Sequence, residues 1–177
     1  MDASKSWIEY IKSQGFSVIK KLNNHRAKLS KDDKVYICTR YSPEAYAKEL
    51  WVLEQVVGTR IAPETVHRDD EWCVIVNEAL HPFFHAGVKQ SHRRSQRDTK
   101  FVQALDSKIH SLHVLGIGHG NLRPCNILVD DNMEPLIVGF SCAYNIKASQ
   151  DKLPGEDYTC WRNSLGMGTH DVNMASQ

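Results

Sequence analysis

A polar string in the second half of the chain holds the side chains best placed to do chemistry. Residues 119–130 read H-G-N-L-R-P-C-N-I-L-V-D. The polar members that could bind or react are His119, Asn121, Arg123, Asn126 and Asp130. Asn121 is a neutral amide, so it cannot accept a proton from a substrate hydroxyl as a carboxylate does. Asn126 offers one neutral oxygen, so the string supplies polar contacts but no carboxylate base at its centre.

Two regular elements must position this string. Before it, Phe101, Leu105, Ile109 and Leu112 recur at spacings of four, four and three, which predicts an amphipathic helix over residues 101–115. After it, the apolar runs 127–129 and 135–138 are separated by a polar turn, which predicts a β-hairpin. The string is therefore expected to connect a helix to a hairpin.

The N-terminal part of the chain reads mainly as strands. A short helix is predicted over residues 4–12 and is ended by Gly15. Five runs have strand composition: 16–22, 26–29, 35–41, 62–67 and 72–77. Ser42, Pro43 and Glu44 form a helix start, and the apolar spacing that follows predicts a helix over 42–57 that stops at Gly58. This order of elements indicates an α+β class.

Bulk composition excludes several classes of protein. The 177 residues fit one domain or at most two small ones, with 41% hydrophobic and 24% charged residues. A net charge of +1 gives no reason to expect nucleic acid or a membrane as the partner. The basic run over residues 89–100 is interpreted as a solvated surface. No apolar run reaches about 18 residues, and no signal layout opens the chain.

The cysteines indicate a reducing compartment. Five cysteines are widely spaced, with no C-x-x-C pair, so neither a disulfide framework nor a zinc site is predicted. Cys38 and Cys73 lie in strand-like runs and are expected to be small buried hydrophobic residues. Pairs of histidines such as His110 and His113 have helical spacing, but they lack a third ligand. We expect a soluble intracellular protein, cytoplasmic or nuclear.

The string and the order of elements together resemble the protein kinase superfamily over residues 16–143. The family's catalytic loop reads H-R-D-L-K-P-x-N before a short strand. The resemblance implies a kinase-like α+β fold with two lobes. Residues 1–80 would form an N-lobe with a leading helix, five strands and one regulatory-type helix. Residues 81–177 would form a truncated C-lobe with an amphipathic helix, the degenerate loop, a hairpin and a polar tail.

The same resemblance implies that the catalytic groups are missing. Asn121 stands at the position of the catalytic base, and Gly139, thirteen residues after Asn126, replaces the aspartate of the metal-binding triplet. Cys38, or Thr39 in a shifted register, replaces the phosphate-binding lysine, with Arg40 as a conceivable substitute. The turn at residues 23–25 lacks the family's glycines. No metal site and no catalytic residue are therefore expected.

Some positions of a nucleotide site are retained in the resemblance. They are Glu49, Glu78, Ala79, Leu80, Arg123 and Asn126. Glu49 matches the helix glutamate that braces the lysine, and a solvated or Arg40-paired carboxylate is the other reading of it. Residues 78–80 match the hinge, which recognises adenine through backbone groups. Nucleotide binding without turnover is therefore one alternative function, and ATP is the one possible ligand.

The leading interpretation is a catalytically inactive, kinase-like binding, scaffold or regulatory module. A weak atypical phosphotransferase of the small-molecule kinase type is a further alternative. It is disfavoured because it would need the same two carboxylates, which are missing at positions 121 and 139. After residue 143 only 34 residues remain, so the apolar face of helix 101–115 is expected to need a cover. The cover would be a partner protein, a second copy, or the tail residues Tyr158, Cys160, Trp161, Leu165 and Met167.

Overall fold

The chain folds into an α+β protein whose elements form two compact units, which confirms the predicted class. The computed structural model describes residues 6–82, 96–149 and 157. One unit comprises Met1–Ala47 and Pro63–Ala79, and the other comprises Lys48–Ala62 and Leu80–Gln177. The predicted division at residue 80 stays a prediction. The units differ from it in one segment, because Lys48–Ala62 belongs to the second unit.

Three helices and ten strands are present in the described part of the chain. The helices are α1 (Trp7–Ser13), α2 (Pro43–Gln55) and α3 (Gln96–Val114). The strands are β1 (Ser17–Lys21), β2 (Arg26–Lys31), β3 (Lys34–Arg40), β4 (Thr65–Asp69), β5 (Val74–Glu78), β6 (His81–Pro82), β7 (Ile117–Gly118), β8 (Ile127–Val129), β9 (Pro135–Ile137) and β10 (Tyr144–Asn145). Five short segments of the described chain near the loop were not predicted from the sequence: β6, β7, β10 and the single helical turns Pro124–Asn126 and Phe140–Cys142.

A five-stranded antiparallel sheet forms the first unit, in the order β1-β2-β3-β5-β4. Residues alternate between its two faces, so Ala27 and Leu29 of β2 point into the core while Arg26 and Lys28 are exposed. Trp7 and Ile11 of α1 cover this apolar face together with Phe16. The short leading helix is therefore part of the core of the first unit.

Local polar contacts fix α1 and explain its bounds. Ser6 and Glu9 form a reciprocal capping box at its N-terminus, in which each side chain accepts a hydrogen bond from the other residue's amide. From the middle of α1, the Tyr10 hydroxyl donates to Oδ2 of Asp69 at 2.7 Å. The Tyr10 ring also stacks on Trp72. Burial and the bond to Asp69 raise the pKa of Tyr10 above its ordinary value.

The β4–β5 hairpin lies about two residues further along the chain than the sequence predicted. β4 continues through Arg68 and Asp69 because Oδ1 of Asp69 accepts the amide of Trp72 and closes the turn. Cys73 lies in that turn with a φ of 50° and is half-buried, so its expected strand position was wrong. β5 starts at Val74, two residues later than its predicted start at residue 72.

In the second unit, α3 packs on β7 and β9 and carries the loop that follows it. Its inward residues Leu105, Ile109 and Leu112 are at most 1% exposed. This face was expected to be exposed unless another segment covered it, and these three side chains are covered. The tail residues named as a possible cover lie outside the described residues.

The predicted hairpin of residues 127–138 is confirmed. β8 pairs antiparallel with β9, with Leu128 opposite Leu136. β6 adds to the other edge of β8, with His81 opposite Val129. The three strands hold the end of the polar string, and β7 with β10 holds its beginning.

Candidate functional site

Hydrogen bonds within the string fix the loop between β7 and β8. Asn126 lies in a single helical turn, Pro124–Asn126. Its backbone amide donates to the carbonyl of Arg123 at 2.8 Å. The Asn126 side chain donates through Nδ2 to the carbonyl oxygen of Asn121 at 2.9 Å. The backbone carbonyl of Asn126 accepts a hydrogen bond from the amide of Val138. Asn126 therefore ties the loop to itself and to the hairpin.

A carboxylate that the sequence reasoning missed clamps the start of the loop. Asp157 is 2% exposed, and its oxygens accept the amides of His119 at 2.7 Å and Gly120 at 2.9 Å. Nε2 of His113, on α3, lies 3.1 Å from Oδ2 of the same carboxylate. Burial would raise the pKa of Asp157, but the bonds from His113 and the two amides hold it below its ordinary value. No spacing in the sequence pointed to this contact, since 37 residues separate Asp157 from Gly120.

The His119 imidazole is used inside the protein. Its Nδ1 accepts the amide of Asn121 at 3.2 Å, which leaves Nε2 to donate to the carbonyl of Val138 at 3.1 Å. The ring also packs against Phe140, with centroids 5.1 Å apart. Burial lowers the pKa of His119 below its ordinary value, so the ring is neutral at pH 7. These contacts give His119 a structural role in holding the loop.

The structure brings Asn126 and Gly139 together. Gly139 has a φ of 81° and a ψ of 52°, in the left-handed region. A Cβ atom built on it would lie 2.9 Å from Oδ1 of Asn126. Position 139 is thus adjacent to the amide oxygen that would face a metal, but it offers no ligand. One amide oxygen does not suit a hard dication, which needs carboxylates, so these residues do not fit Mg²⁺.

Asp130 is the one acidic residue of the string, and both of its carboxylate oxygens make structural contacts. Its Oδ2 pairs with Nη2 of Arg60 at 2.7 Å, and its Oδ1 accepts the amides of Asn132 and Glu134. Lys108 of α3 donates to the carbonyl of Arg60 at 2.6 Å, and burial lowers the pKa of that lysine. These contacts hold the segment after α2 against α3 and the hairpin. Asp130 is therefore a turn and ion-pair residue.

Cys38 lies in the apolar core of the first unit. It is 0% exposed and belongs to the cluster beneath α1. Burial raises the pKa of its thiol to about 12, so it carries no charge at pH 7. The expected role of a small buried hydrophobic residue is confirmed for Cys38. Thr39 points to the other face of the sheet, while Arg40 ends β3 with an exposed side chain.

The remaining predicted nucleotide positions have mixed surroundings. Glu49 on α2 is 2% exposed, so its reading as a solvated carboxylate was wrong. In the predicted hinge, the amide of Glu78 donates to Glu64 and the amide of Ala79 donates to Val35. Two of the three hinge amides are thus already hydrogen bonded. Leu80 is half-buried, and Arg123 is exposed on the loop.

Within residues 6–82, 96–149 and 157, no group of three histidine, cysteine, aspartate or glutamate side chains is placed to hold a metal ion. His81 is exposed, and its Nε2 lies 3.7 Å from Oδ1 of Asp131. Among the described helices, none combines the length and the apolar character needed to cross a membrane.

Comparison with known proteins leaves the family of this chain open. No protein-family model matches the sequence, and the search of curated proteins gives no match. A proposal about function therefore depends on the geometry of the loop and on the resemblance of the string to the protein kinase catalytic loop.

Proposed function

We propose that this chain is a kinase-like protein that transfers no phosphate and acts as a binding or regulatory module. The observation that carries the proposal is the loop itself. Asp157 and Asn126 hold its backbone through hydrogen bonds. Position 121 carries a side-chain amide, and position 139 is a glycine without a side chain. A loop that is held this firmly without its reactive groups is suited to presenting a fixed surface.

The proposal is supported by the described surroundings of positions 121, 139 and 38. A base at position 121 would need a carboxylate, and Asp130 is bound to Arg60 and two amides instead. A metal-binding carboxylate at position 139 would need a side chain on a backbone in the left-handed region, where a Cβ would lie 2.9 Å from Oδ1 of Asn126. Cys38 supplies no cation because it is buried and neutral. Losing any one such group typically costs orders of magnitude in rate, and here several are lost together.

A phosphotransfer assay tests the proposal. The full chain would be incubated with radiolabelled ATP, Mg²⁺ or Mn²⁺, and generic protein substrates, beside an active kinase as control. We expect no transfer to substrate or to the chain itself. The variant Asn121→Asp should also be inactive, because the metal carboxylate and the lysine are still missing. Autophosphorylation that is abolished by Asn126→Ala would overturn the proposal.

Nucleotide binding without turnover is the weaker candidate. The amides of Glu78 and Ala79 are bonded to Glu64 and Val35, so they are not open donors for adenine. The exposed Arg123 and the Asn126 oxygen are the groups that speak for it. A thermal-shift measurement with ATP separates the two candidates.

A further inference from the structure

The β1–β2 hairpin concentrates positive charge in a chain that is nearly neutral overall. The net charge is +1, yet residues 12–31 contain six lysines and arginines and no aspartate or glutamate. These cations are Lys12, Lys20, Lys21, Arg26, Lys28 and Lys31. Lys31 is engaged, because it donates to the carbonyl of Gln14 and lies over the Phe16 ring. The other cations of the two strands are exposed.

Strand register places three of them on one face. Lys20 of β1 lies directly opposite Lys28 of β2, and Arg26 is two residues from Lys28 on the same strand. Ala27 and Leu29, which alternate with them, point into the core under α1. Lys20, Arg26 and Lys28 therefore form one cationic hairpin face on the side of the sheet away from α1.

In the part of the chain that the structure describes, no carboxylate forms an ion pair with the cations of this face. Like charges directly opposite each other in an antiparallel pair are destabilising. An anionic ligand would remove that repulsion, so the arrangement favours an anion as the occupant.

Protection of the sheet edge explains only part of this charge. β1 is an edge strand, it contains a bulge between Val18 and Lys20, and lysines on edge strands prevent unwanted pairing. Lys20 and Lys21 fit that role. Arg26 and Lys28 do not, because β2 is an inner strand that pairs with both β1 and β3.

The side chains around the face favour a peptide over a nucleic acid. Ile19 is 52% exposed and Leu22 is 45% exposed, so aliphatic contacts are available next to the cations. Single-stranded nucleic acid is usually held by aromatic stacking, and the hairpin's aromatic neighbour Phe16 is buried. An extended peptide that mixes acidic and aliphatic residues matches both features.

We propose that the cationic hairpin face, Lys20, Arg26 and Lys28, binds an acidic and partly aliphatic peptide segment of a partner protein. This inference rests on the proposed function as a binding module and names the chemistry of its partner. It does not depend on the degenerate loop, which lies in the other unit. The phosphotransfer assay and the binding assay can therefore fail independently.

Fluorescence anisotropy with the full chain tests the inference. The probe is a fluorescein-labelled peptide of about twelve residues that alternates glutamate with valine and leucine, a length that spans a strand face. The variant is Lys20→Glu/Lys28→Glu, and the matched control is Lys34→Glu/Lys147→Glu. Both control lysines are exposed, and the change in net charge is the same. Thermal unfolding of each variant checks that it folds.

We expect the wild type and the control variant to bind the acidic peptide, and Lys20→Glu/Lys28→Glu to bind on the order of tenfold more weakly. The reversed variant should instead bind the same peptide with lysine in place of glutamate. Equal loss in both double variants would show a net-charge effect and overturn the inference. Tighter binding of a thymidine oligonucleotide than of the peptide would also overturn it, as would a wild type that binds neither peptide.

Discussion

Position 139 is restricted to glycine by its backbone and by a close neighbour. A non-glycine residue in the left-handed region costs about 1–2 kcal/mol. Here a Cβ would also lie 2.9 Å from Oδ1 of Asn126. We therefore expect Gly139→Ala to lower the free energy of unfolding by about 2–4 kcal/mol, measured by urea denaturation.

Gly58 provides the matched control for this substitution. It has a φ of 75°, and a Cβ there would meet no atom within 4 Å. Gly58→Ala should lower the free energy of unfolding by about 1 kcal/mol, because only the backbone cost applies. Equal losses in the two variants would show that contact with Asn126 contributes nothing at position 139.

Asp157 should make stability depend on pH in the acid range. Its pKa is lower in the folded protein than in the unfolded chain, so its contribution is complete above about pH 4. The contribution is lost as the pH falls through the folded pKa. Asp157→Asn should lower the free energy of unfolding by about 2–4 kcal/mol at pH 7. The difference from the wild type should shrink as the pH falls toward 2.

The exposed Asp131 gives the comparison for Asp157, since its side chain is 97% exposed. Asp131→Asn should change the free energy of unfolding by less than about 0.5 kcal/mol at any pH. A difference between wild type and Asp157→Asn that stays constant down to pH 2 would contradict the assigned pKa direction.

His119 should titrate below the usual range for histidine. Burial favours its neutral form, so between the folded and unfolded pKa values the unfolded chain binds more protons. Its contribution to stability is therefore complete above about pH 6.5 and is lost as the pH falls below that. Histidine NMR should give a pKa under about 6.5 and a proton on Nε2. A pKa well above that value would mean that the ring is charged at neutral pH, so that Nδ1 could not accept the amide of Asn121.

At the scale of elements, α1 is expected to be essential to the sheet it covers. Ile11 is 0% exposed in the cluster over Ala27 and Leu29. Ile11→Ala should lower the free energy of unfolding by about 2–5 kcal/mol, measured by chemical denaturation. Ile19→Ala, at a side chain that is 52% exposed, should cost less than about 0.5 kcal/mol. A small loss at Ile11 would mean that α1 can leave the sheet without unfolding it.

The sequence predicted elements well where side-chain periodicity decided them. The spacing of Leu105, Ile109 and Leu112 gave α3, and the two apolar runs around residues 130–134 gave the β8–β9 hairpin. The bounds failed where side-chain hydrogen bonds decide them. Asp69 extends β4 by bonding Tyr10 and the amide of Trp72, and a periodicity carries no signal of such contacts.

The polar string was singled out from the sequence, but the contacts that hold it were not predicted. Asn126 and Gly139 were both noted in the motif, and the structure shows that they are in contact. The clamp by Asp157 and the pair of Arg60 with Asp130 join residues that are 37 and 70 positions apart. Such contacts depend on how the chain folds back, and a single sequence does not show that.

At the scale of the whole molecule, the two candidate functions differ in what ATP does to stability. A ligand that binds only the folded state at a hundred times its Kd adds about 2.7 kcal/mol, which for a chain of this size raises the Tm by roughly 5–10 °C. The hinge amides of Glu78 and Ala79 are already bonded, and Cys38 gives no cation for the phosphates. We therefore expect millimolar ATP, with or without Mg²⁺, to raise the Tm by less than about 1 °C.

Tripolyphosphate separates nucleotide recognition from attraction to the cationic hairpin face. It has the charge of the ATP phosphates without the base, so any general effect of an anion should appear with both compounds. Equal small shifts that are lost in Lys20→Glu/Lys28→Glu would assign the effect to the hairpin and leave the binding-module proposal intact. A shift of several degrees with ATP alone would contradict it. That result would mean that the chain recognises adenine through groups other than the amides of Glu78 and Ala79. Nucleotide binding would then be the better-supported function.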